Sequence, residues 1–278
     1  MIDPAAHPTI VTPNLAMPKL GLGTFGLRGP DCARAVAQAI GLGYRHIDTA
    51  EMYDNEGPVG QGIRDSGVPR EEIFVTTKVW WTNLGDPEAA LAASLRRLRL
   101  DHVDLFLIHW PNPAAPLART LDTMVRLQRL GLTRAIGVAN FPSVLLAEAI
   151  ATGAPIACNQ VEYHVMLGQA PVLQLARAHR IAVTAYSPLG KGGLISDPTL
   201  AAIARRHGAT PAQVALAWLL EQDLVAAIPK SGRTEAMREN LAALDLRLTE
   251  TDRAAIAALP KSRRFVAPSW SPAWDAVA

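Results

Sequence analysis

Short, mainly apolar runs alternate along the chain with longer stretches whose apolar positions recur every three to four residues. The runs are Lys19–Leu22, Arg45–Ile47, Ile73–Thr77, Val103–Ile108, Ala135–Val138, Ala157–Gln160, Ile181–Ala185 and Leu224–Ile228. Runs such as Val103–Ile108 lack a steady polar alternation, which predicts strands covered on both faces. The intervening stretches predict helices over Asp31–Leu42, Glu56–Ser66, Asp86–Leu98, Leu117–Leu130, Ser143–Ala151 and Ala170–His179. Further helices are predicted near Thr199–His207, Pro211–Glu221, Thr234–Leu241 and Glu250–Leu259. The punctuation agrees: Gly67 and Gly131 end two of them. Asp86 stands as an N-cap with Pro87 in the first turn. Ahead of the first run, Thr9–Val11 and Leu15–Met17 flank Pro13-Asn14 and predict a short hairpin.

Repeated strand–helix units predict a parallel sheet with helical crossovers. Eight units in a chain of 278 residues have the size of a (β/α)8 TIM barrel, an α/β fold forming one domain over residues 1–278. An open, doubly wound sheet shares this alternation. Gly21-Leu-Gly23-Thr-Phe-Gly26 even satisfies the G-x-G-x-x-G pattern, and Asp48 follows where a ribose-binding acid would stand. That fingerprint needs a helix opening within the glycine motif. Here Gly29-Pro30 intervenes and the helical pattern starts near Asp31. The glycines therefore predict a first strand and loop that approach a ligand closely, not a dinucleotide fold.

The strand ends carry the candidate chemistry. Asp48, Lys78 and His109 close three successive strand runs, and Tyr53 lies just beyond Asp48. In a barrel these positions meet at the C-terminal face, where active sites assemble. A phenol beside an ammonium, backed by a carboxylate and flanked by an imidazole, suits proton donation to a carbonyl oxygen. A free tyrosine, with a pKa of about 10, donates poorly at neutral pH, and a nearby ammonium would lower it. The pattern assigns Tyr53 as acid, Lys78 and Asp48 as its tuning pair, and His109 as the group orienting the carbonyl. Taken singly, each has a plainer reading, as turn former, solvated strand end, core histidine or loop aromatic. Their joint placement carries the assignment.

Composition narrows the partners. Net charge is +2, with 49% hydrophobic and 19% charged residues. That fits a globular enzyme and gives no basic surface for nucleic acid or an acidic membrane. No run reaches the length of a membrane span. Cys32 and Cys158 are the chain's two cysteines; far apart, they predict reduced thiols and a cytoplasmic setting. Met1–Thr9 has neither a basic nor an apolar leader region, so no secretory signal is expected. His-x-x-x-His, Cys-x-x-Cys and Gly-x-Ser-x-Gly patterns are missing, so neither metal nor nucleophilic serine chemistry is expected.

Over nearly its whole length the chain resembles the aldo-keto reductase superfamily. The matching segments are Gly21-Leu-Gly-Thr24, Ile47-Asp-Thr-Ala-Glu-Met-Tyr53-Asp-Asn-Glu56, Thr77-Lys-Val-Trp80 and Asp104-Leu-Phe-Leu-Ile-His109-Trp110-Pro111. Later come Gly137-Val-Ala-Asn-Phe141, Asn159-Gln160-Val-Glu-Tyr163, Tyr186-Ser-Pro-Leu-Gly190 and Ile228-Pro-Lys-Ser231. The ending, Arg264-Phe-Val-Ala-Pro with Pro272-Ala-Trp-Asp275, resembles a bacterial subgroup, the 2,5-diketo-D-gluconate reductases of B type.

The resemblance implies NADPH bound in an extended pose across the barrel mouth. Gly23 and Thr24 would border it. Asn140 and Gln160 would hold the carboxamide, Tyr186 would stack on the nicotinamide, and Ser187 and Leu189 would line the pyrophosphate path. Lys230, Ser231 and Arg233 would face the 2′-phosphate, with Glu239 and Asn240 near the adenine. Two departures stand out. Ala139 replaces a serine common among relatives, removing one hydrogen bond worth about 1 kcal/mol. Ala236 replaces an arginine that packs on the adenine, which weakens the case for strict NADPH preference; Lys230 and Arg233 still favour it.

Phe25, Met52, Trp80 and Trp110 would line the substrate pocket. Trp270 and Trp274 lie in a short tail and would be costly to expose, so the tail is expected to fold over the mouth. Arg263 or Arg264 would be within reach of a substrate carboxylate. The expected activity is reduction of small aldehydes and ketones: α-dicarbonyls, keto-sugar acids, methylglyoxal. A monomer is the family default. The alternatives are a non-catalytic nicotinamide-nucleotide-binding protein on the same scaffold, and a barrel lyase or isomerase acting on sugar phosphates without nicotinamide.

Overall fold

The structure, a computed structural model, describes residues 8–276. Most of the leader expectation, residues 1–7, lies outside them. The hairpin forms from β1 (Thr9–Thr12) and β2 (Leu15–Pro18), paired antiparallel. It turns Ile10, Leu15 and Met17 inward, where they join Phe74, Leu105, Leu107 and Ala157 in one buried cluster. The hairpin thus covers the floor of the main sheet.

Eight parallel strands run in sequence order. They are β3 (Leu22–Gly23), β4 (His46–Asp48), β5 (Phe74–Val79), β6 (Val103–Ile108), β7 (Thr133–Ala139), β8 (Ile156–Glu162), β9 (Ala182–Tyr186) and β10 (Val225–Ala227). Parallel bridges Leu20–Ala227 and Gly23–Lys230 join the first strand region to the last. The Gly21 N–H donates to the Ala227 carbonyl at 2.9 Å, and the Ala227 N–H to that of Lys19 at 2.7 Å. The sheet therefore closes into the expected (β/α)8 barrel. At this seam β3 is shorter than the apolar run, since residues 19–21 pair only through these few bonds.

The seam also explains the glycine motif. A Cβ on Gly23 would stand 2.6 Å from the Ile228 carbonyl oxygen. At Gly23 the close approach is thus to a backbone and not, as expected, to a ligand; Gly21 stands against the His46 ring, where a Cβ would lie 2.7 Å from Cγ, and no helix opens within the motif.

Around the barrel pack α1 (Gly29–Leu42), α2 (Glu56–Asp65), α3 (Pro87–Leu98), α4 (Leu117–Arg129) and α5 (Ser143–Ala151). They continue with α6 (Ala170–Ala178), α7 (Pro198–His207), α8 (Pro211–Leu220), α9 (Thr234–Ala242) and α10 (Glu250–Ala257). The Asp86 side chain caps α3 by accepting the Ala89 N–H at 3.0 Å. The α1 helix starts two residues before the expected Asp31, because Pro30 in its first turn is already set for helix. Its start still falls after Gly26, outside the motif. A large apolar cluster fills the space between strands and helices; Ile47, Val75, Phe106 and Val138 face Val36, Leu91, Met124 and Leu146 there.

Candidate active site

Asp48 is the last residue of β4. A 3₁₀ turn over Glu51–Tyr53 comes next and swings Tyr53 back over the strand ends. Lys78 lies in β5, and His109 succeeds β6 with its N–H on the Val79 carbonyl at 3.0 Å. The four side chains converge. Lys78 Nζ donates to Asp48 Oδ1 at 2.6 Å, to the Thr49 carbonyl at 2.8 Å and to Tyr53 Oη at 3.3 Å. The Tyr53 and His109 rings meet edge to face at 5.6 Å. The Lys78 and Asp48 side chains are 0% and 1% exposed, so neither charge is shared with water.

Burial sets the protonation states. Burial, reinforced by the Asp48 carboxylate, holds the Tyr53 phenol well above its usual value. This is opposite to the direction expected from Lys78 alone: desolvation of the phenolate outweighs the ammonium. Burial draws Lys78 down, against the pull of Asp48. Burial and then Lys78 push His109 well below its usual value, so its imidazole is neutral. Its Nδ1 is buried without a partner among the described residues. The site is therefore a protonated phenol, a sealed ion pair and a neutral imidazole with an uncommitted nitrogen.

The amides expected at the carboxamide lie directly beside it. Asn140 Nδ2 donates to the His109 carbonyl at 2.9 Å, and Asn140 Oδ1 accepts the Tyr186 hydroxyl at 2.8 Å. Gln160 Nε2 donates to Asp48 Oδ2 at 2.7 Å. Thr24 Oγ1 donates to the Asp48 carbonyl at 2.9 Å, and Gly23 sits at the seam. Ser187 and Leu189 lie just past β9, with Ser187 at φ 47°. Past β10, Lys230 and Arg233 are exposed, while Ser231 Oγ accepts the Arg233 N–H at 3.1 Å. Glu239 is exposed on α9, and Asn240 on the same helix is buried against Tyr44. Asn240 is thus drawn into packing more than toward solvent.

Aromatic rings wall the mouth. Phe25, 58% exposed, contacts Tyr53 at 5.1 Å. Trp80 contacts His109 at 5.2 Å. Trp110 is buried, and Met52 is at the rim. The tail does return over the mouth, with Trp270 against Trp80, Trp81 and Trp110. Arg264 lies beneath the Trp274 ring at 3.9 Å and faces Glu162 at 3.8 Å; Arg263 lies over Phe265. Both arginines are engaged by the tail itself.

Sequence reasoning missed Glu51. Its carboxylate accepts the Trp80 N–H at 2.8 Å and Asn83 Nδ2 at 2.7 Å, fixing the tryptophan wall. The only signal was its place inside the segment Ile47–Tyr53.

A sequence profile of the Aldo/keto reductase family matches residues 19–261. Methylglyoxal reductase DkgB of Salmonella typhimurium is 44% identical over 268 residues, spanning 94% of this chain and 100% of that protein. Glycerol 2-dehydrogenase (NADP(+)) of Saccharomyces cerevisiae is 38% identical over 291 residues and spans 92% of each. A solved structure provisionally assigned as a 2,5-diketo-D-gluconic acid reductase B superposes with a TM-score of 0.94 at 41% identity, over 98% of this chain and 99% of that one. The closed barrel, the converging strand ends and this end-to-end similarity have one reading. The chain belongs to the aldo/keto reductase family.

Proposed function

We propose that the chain reduces small aldehydes and ketones to alcohols with NADPH, using Tyr53 as proton donor. The supporting observation is the buried contact of Lys78 with both Asp48 and Tyr53, opening onto a pocket of aromatic rings. The residues fit the cofactor: two buried amides, one just past β7 and one in the adjacent β8, a tyrosine ring beside them, and exposed cations past β10. Asn140 and Gln160 would hold its carboxamide, and Lys230 and Arg233 its 2′-phosphate. When bound it supplies a hydride to the carbonyl carbon.

The protein's own part is the proton. A phenol held above its usual pKa is fully loaded at neutral pH. An alkoxide is the stronger base, so the Tyr53 proton moves to the oxygen as negative charge develops there. Lys78, 3.3 Å away, then stabilises the phenolate. Asp48 keeps Lys78 charged despite burial. His109, neutral, donates to the same oxygen and orients it. The rings of Phe25, Trp80 and Trp110 exclude water.

The relatives' names support α-dicarbonyls such as methylglyoxal and keto-sugar acids such as 2,5-diketo-D-gluconate as substrates. The two buried free thiols, Cys32 and Cys158, suit the cytoplasm. The test is NADPH consumption against a carbonyl panel, with Tyr53→Phe as control. A loss of about 10²–10⁴-fold in kcat is expected, the usual contribution of a general acid. Full activity in a folded Tyr53→Phe protein would refute the mechanism. A kcat/KM ratio of NADPH to NADH near one would refute the cofactor preference.

A further inference from the structure

The last described stretch crosses the barrel mouth as a strap tied at both ends. At its near end the Glu162 carboxylate, fully buried at the end of β8, accepts the Phe265 N–H at 2.7 Å and the Val266 N–H at 2.9 Å. At its far end Asp275 accepts the Ser143 N–H at 2.9 Å and the Ser143 hydroxyl at 2.5 Å. Ser143 opens α5, whose N-cap position is Pro142, a residue with no capping side chain. Asp275 therefore satisfies an orphan helix donor from 132 residues away.

Between the ties the strap forms no helix or strand. Within it the Ser271 N–H donates to the Pro268 carbonyl at 2.9 Å, a single local turn. What places it otherwise is rings. Trp274 lies over Arg264 and edge-on to Trp110 at 6.1 Å. Trp270 stacks flat on Trp81 at 4.9 Å and 12°, and meets Trp110 edge-on at 4.9 Å. Trp80, which touches Trp270 at 5.8 Å, also touches His109. A chain of contacts thus runs from Ser143 to the orienting imidazole. Trp270 is 39% exposed, the loosest link.

We propose that Asp275 is a positioning residue that sets substrate selection: its tie to Ser143 holds the strap closed and keeps Trp270 as the outer wall of the substrate pocket. Released, the strap swings on the Glu162 tie and the wall retreats. A small dicarbonyl then loses contact, and a bulky aromatic aldehyde gains room. This rests on the reading of the mouth as a carbonyl site.

The test compares wild type with Asp275→Ala on methylglyoxal and 2-naphthaldehyde, together with acrylamide quenching of tryptophan fluorescence in the absence of cofactor and substrate. Quenching is expected to rise. KM for methylglyoxal should rise and that for 2-naphthaldehyde fall, with kcat nearly constant, moving the kcat/KM ratio about tenfold. Asp275→Asn, which keeps an acceptor for Ser143, should restore most of it. Trp270→Ala should add little on top of Asp275→Ala. Unchanged quenching with an unchanged ratio overturns the inference, as does an equal fall in kcat for both aldehydes. Raised quenching in a protein whose wild type reduces neither aldehyde upholds the strap and overturns the carbonyl reading.

Discussion

At the floor of the barrel Asp104 accepts from Arg70 at 2.7 Å, from Arg134 at 3.0 Å and from the Val75 N–H at 2.9 Å. At the mouth Asp48 accepts from Lys78 at 2.6 Å and Gln160 at 2.7 Å. Both carboxylates are buried and both face cations, yet their surroundings differ. The floor arginines reach water, with side chains 20% and 54% exposed, and Arg70 also donates to the Ile73 and His102 carbonyls. Lys78 is sealed, and its remaining donor faces a phenol. An ion pair open to water, with no titratable neighbour among its acceptors, is a strut. One with a donor left over for a titratable group can handle a proton. Open volume does not separate the two ends. A cavity of about 330 Å³ lies at the floor, beside Arg45, Glu72, Asp104 and Arg134. Its charges face one another, Arg45 meeting Glu72 at 3.7 Å. The proposed chemistry lies at the strand ends of the mouth, where barrels generally arrange it.

The sharpest way to break this comparison is to neutralise each carboxylate. Asp48→Asn leaves a buried ammonium without its counter-charge. A fall in kcat of about a hundredfold or more is expected, since Lys78 no longer supports the Tyr53 phenolate. Asp104→Asn should leave kcat within about twofold and instead cost about 2–3 kcal/mol of stability, less than a fully buried pair because its arginines are part-exposed. Steady-state rates and urea unfolding of both variants check it. If Asp104→Asn lost activity while its stability held, the floor would be no mere strut.

A smaller effect distinguishes the ends by pH. Each holds a buried histidine: His46 at the start of β4, between the Pro18 carbonyl and Thr76 Oγ1, and His109 at the mouth. Burial lowers both below the ordinary histidine value. A group whose folded pKa is depressed gains protons first in the unfolded chain. Its stability is intact above about 6.5 and is lost as pH falls below that value toward the folded pKa. Each contributes up to about 1.4 kcal/mol per pH unit in that window. Urea unfolding at pH 7.5, 6.0 and 5.0 should show the fall. His109→Asn should remove the mouth's share, and His46→Asn the floor's. A wild-type stability flat down to pH 5 would contradict the neutral imidazoles.

Legibility in the chain tracks which interactions are local. Val103–Ile108 reads as a strand to the residue because its burial on both faces leaves Asp104 as its one polar residue. The tetrad was legible because strand ends in register bring sequence neighbours to one rim. The seam was not, since it closes through isolated backbone bridges beside β3 and β10, with Gly23 against the Ile228 carbonyl. The direction of the Tyr53 shift was not legible either. Lys78 is visible as a charge, whereas desolvation depends on Phe25 and His109 packing around the ring. The ties of Glu162 and Asp275 join segments over 100 residues apart, and no periodicity marks them.

The smallest effect probes the mouth at Ala139, the last residue of β7, which is buried in the barrel-interior cluster with Leu107 and Cys158. A serine there adds a hydroxyl next to Asn140, on the edge where the carboxamide would lie. With cofactor bound, the hydroxyl gains a partner worth about 1 kcal/mol, so Kd for NADPH should fall about fivefold. Without cofactor the same hydroxyl is a buried group short of an acceptor, costing about 1 kcal/mol or more of stability. Ala139→Ser should therefore bind NADPH more tightly and unfold more easily when empty, with saturating NADPH restoring the difference in Tm. Fluorescence titration and thermal unfolding with and without NADPH measure both halves. A variant destabilised equally in both states would mean that the hydroxyl meets no cofactor. The carboxamide would then lie elsewhere than against Asn140 and Gln160.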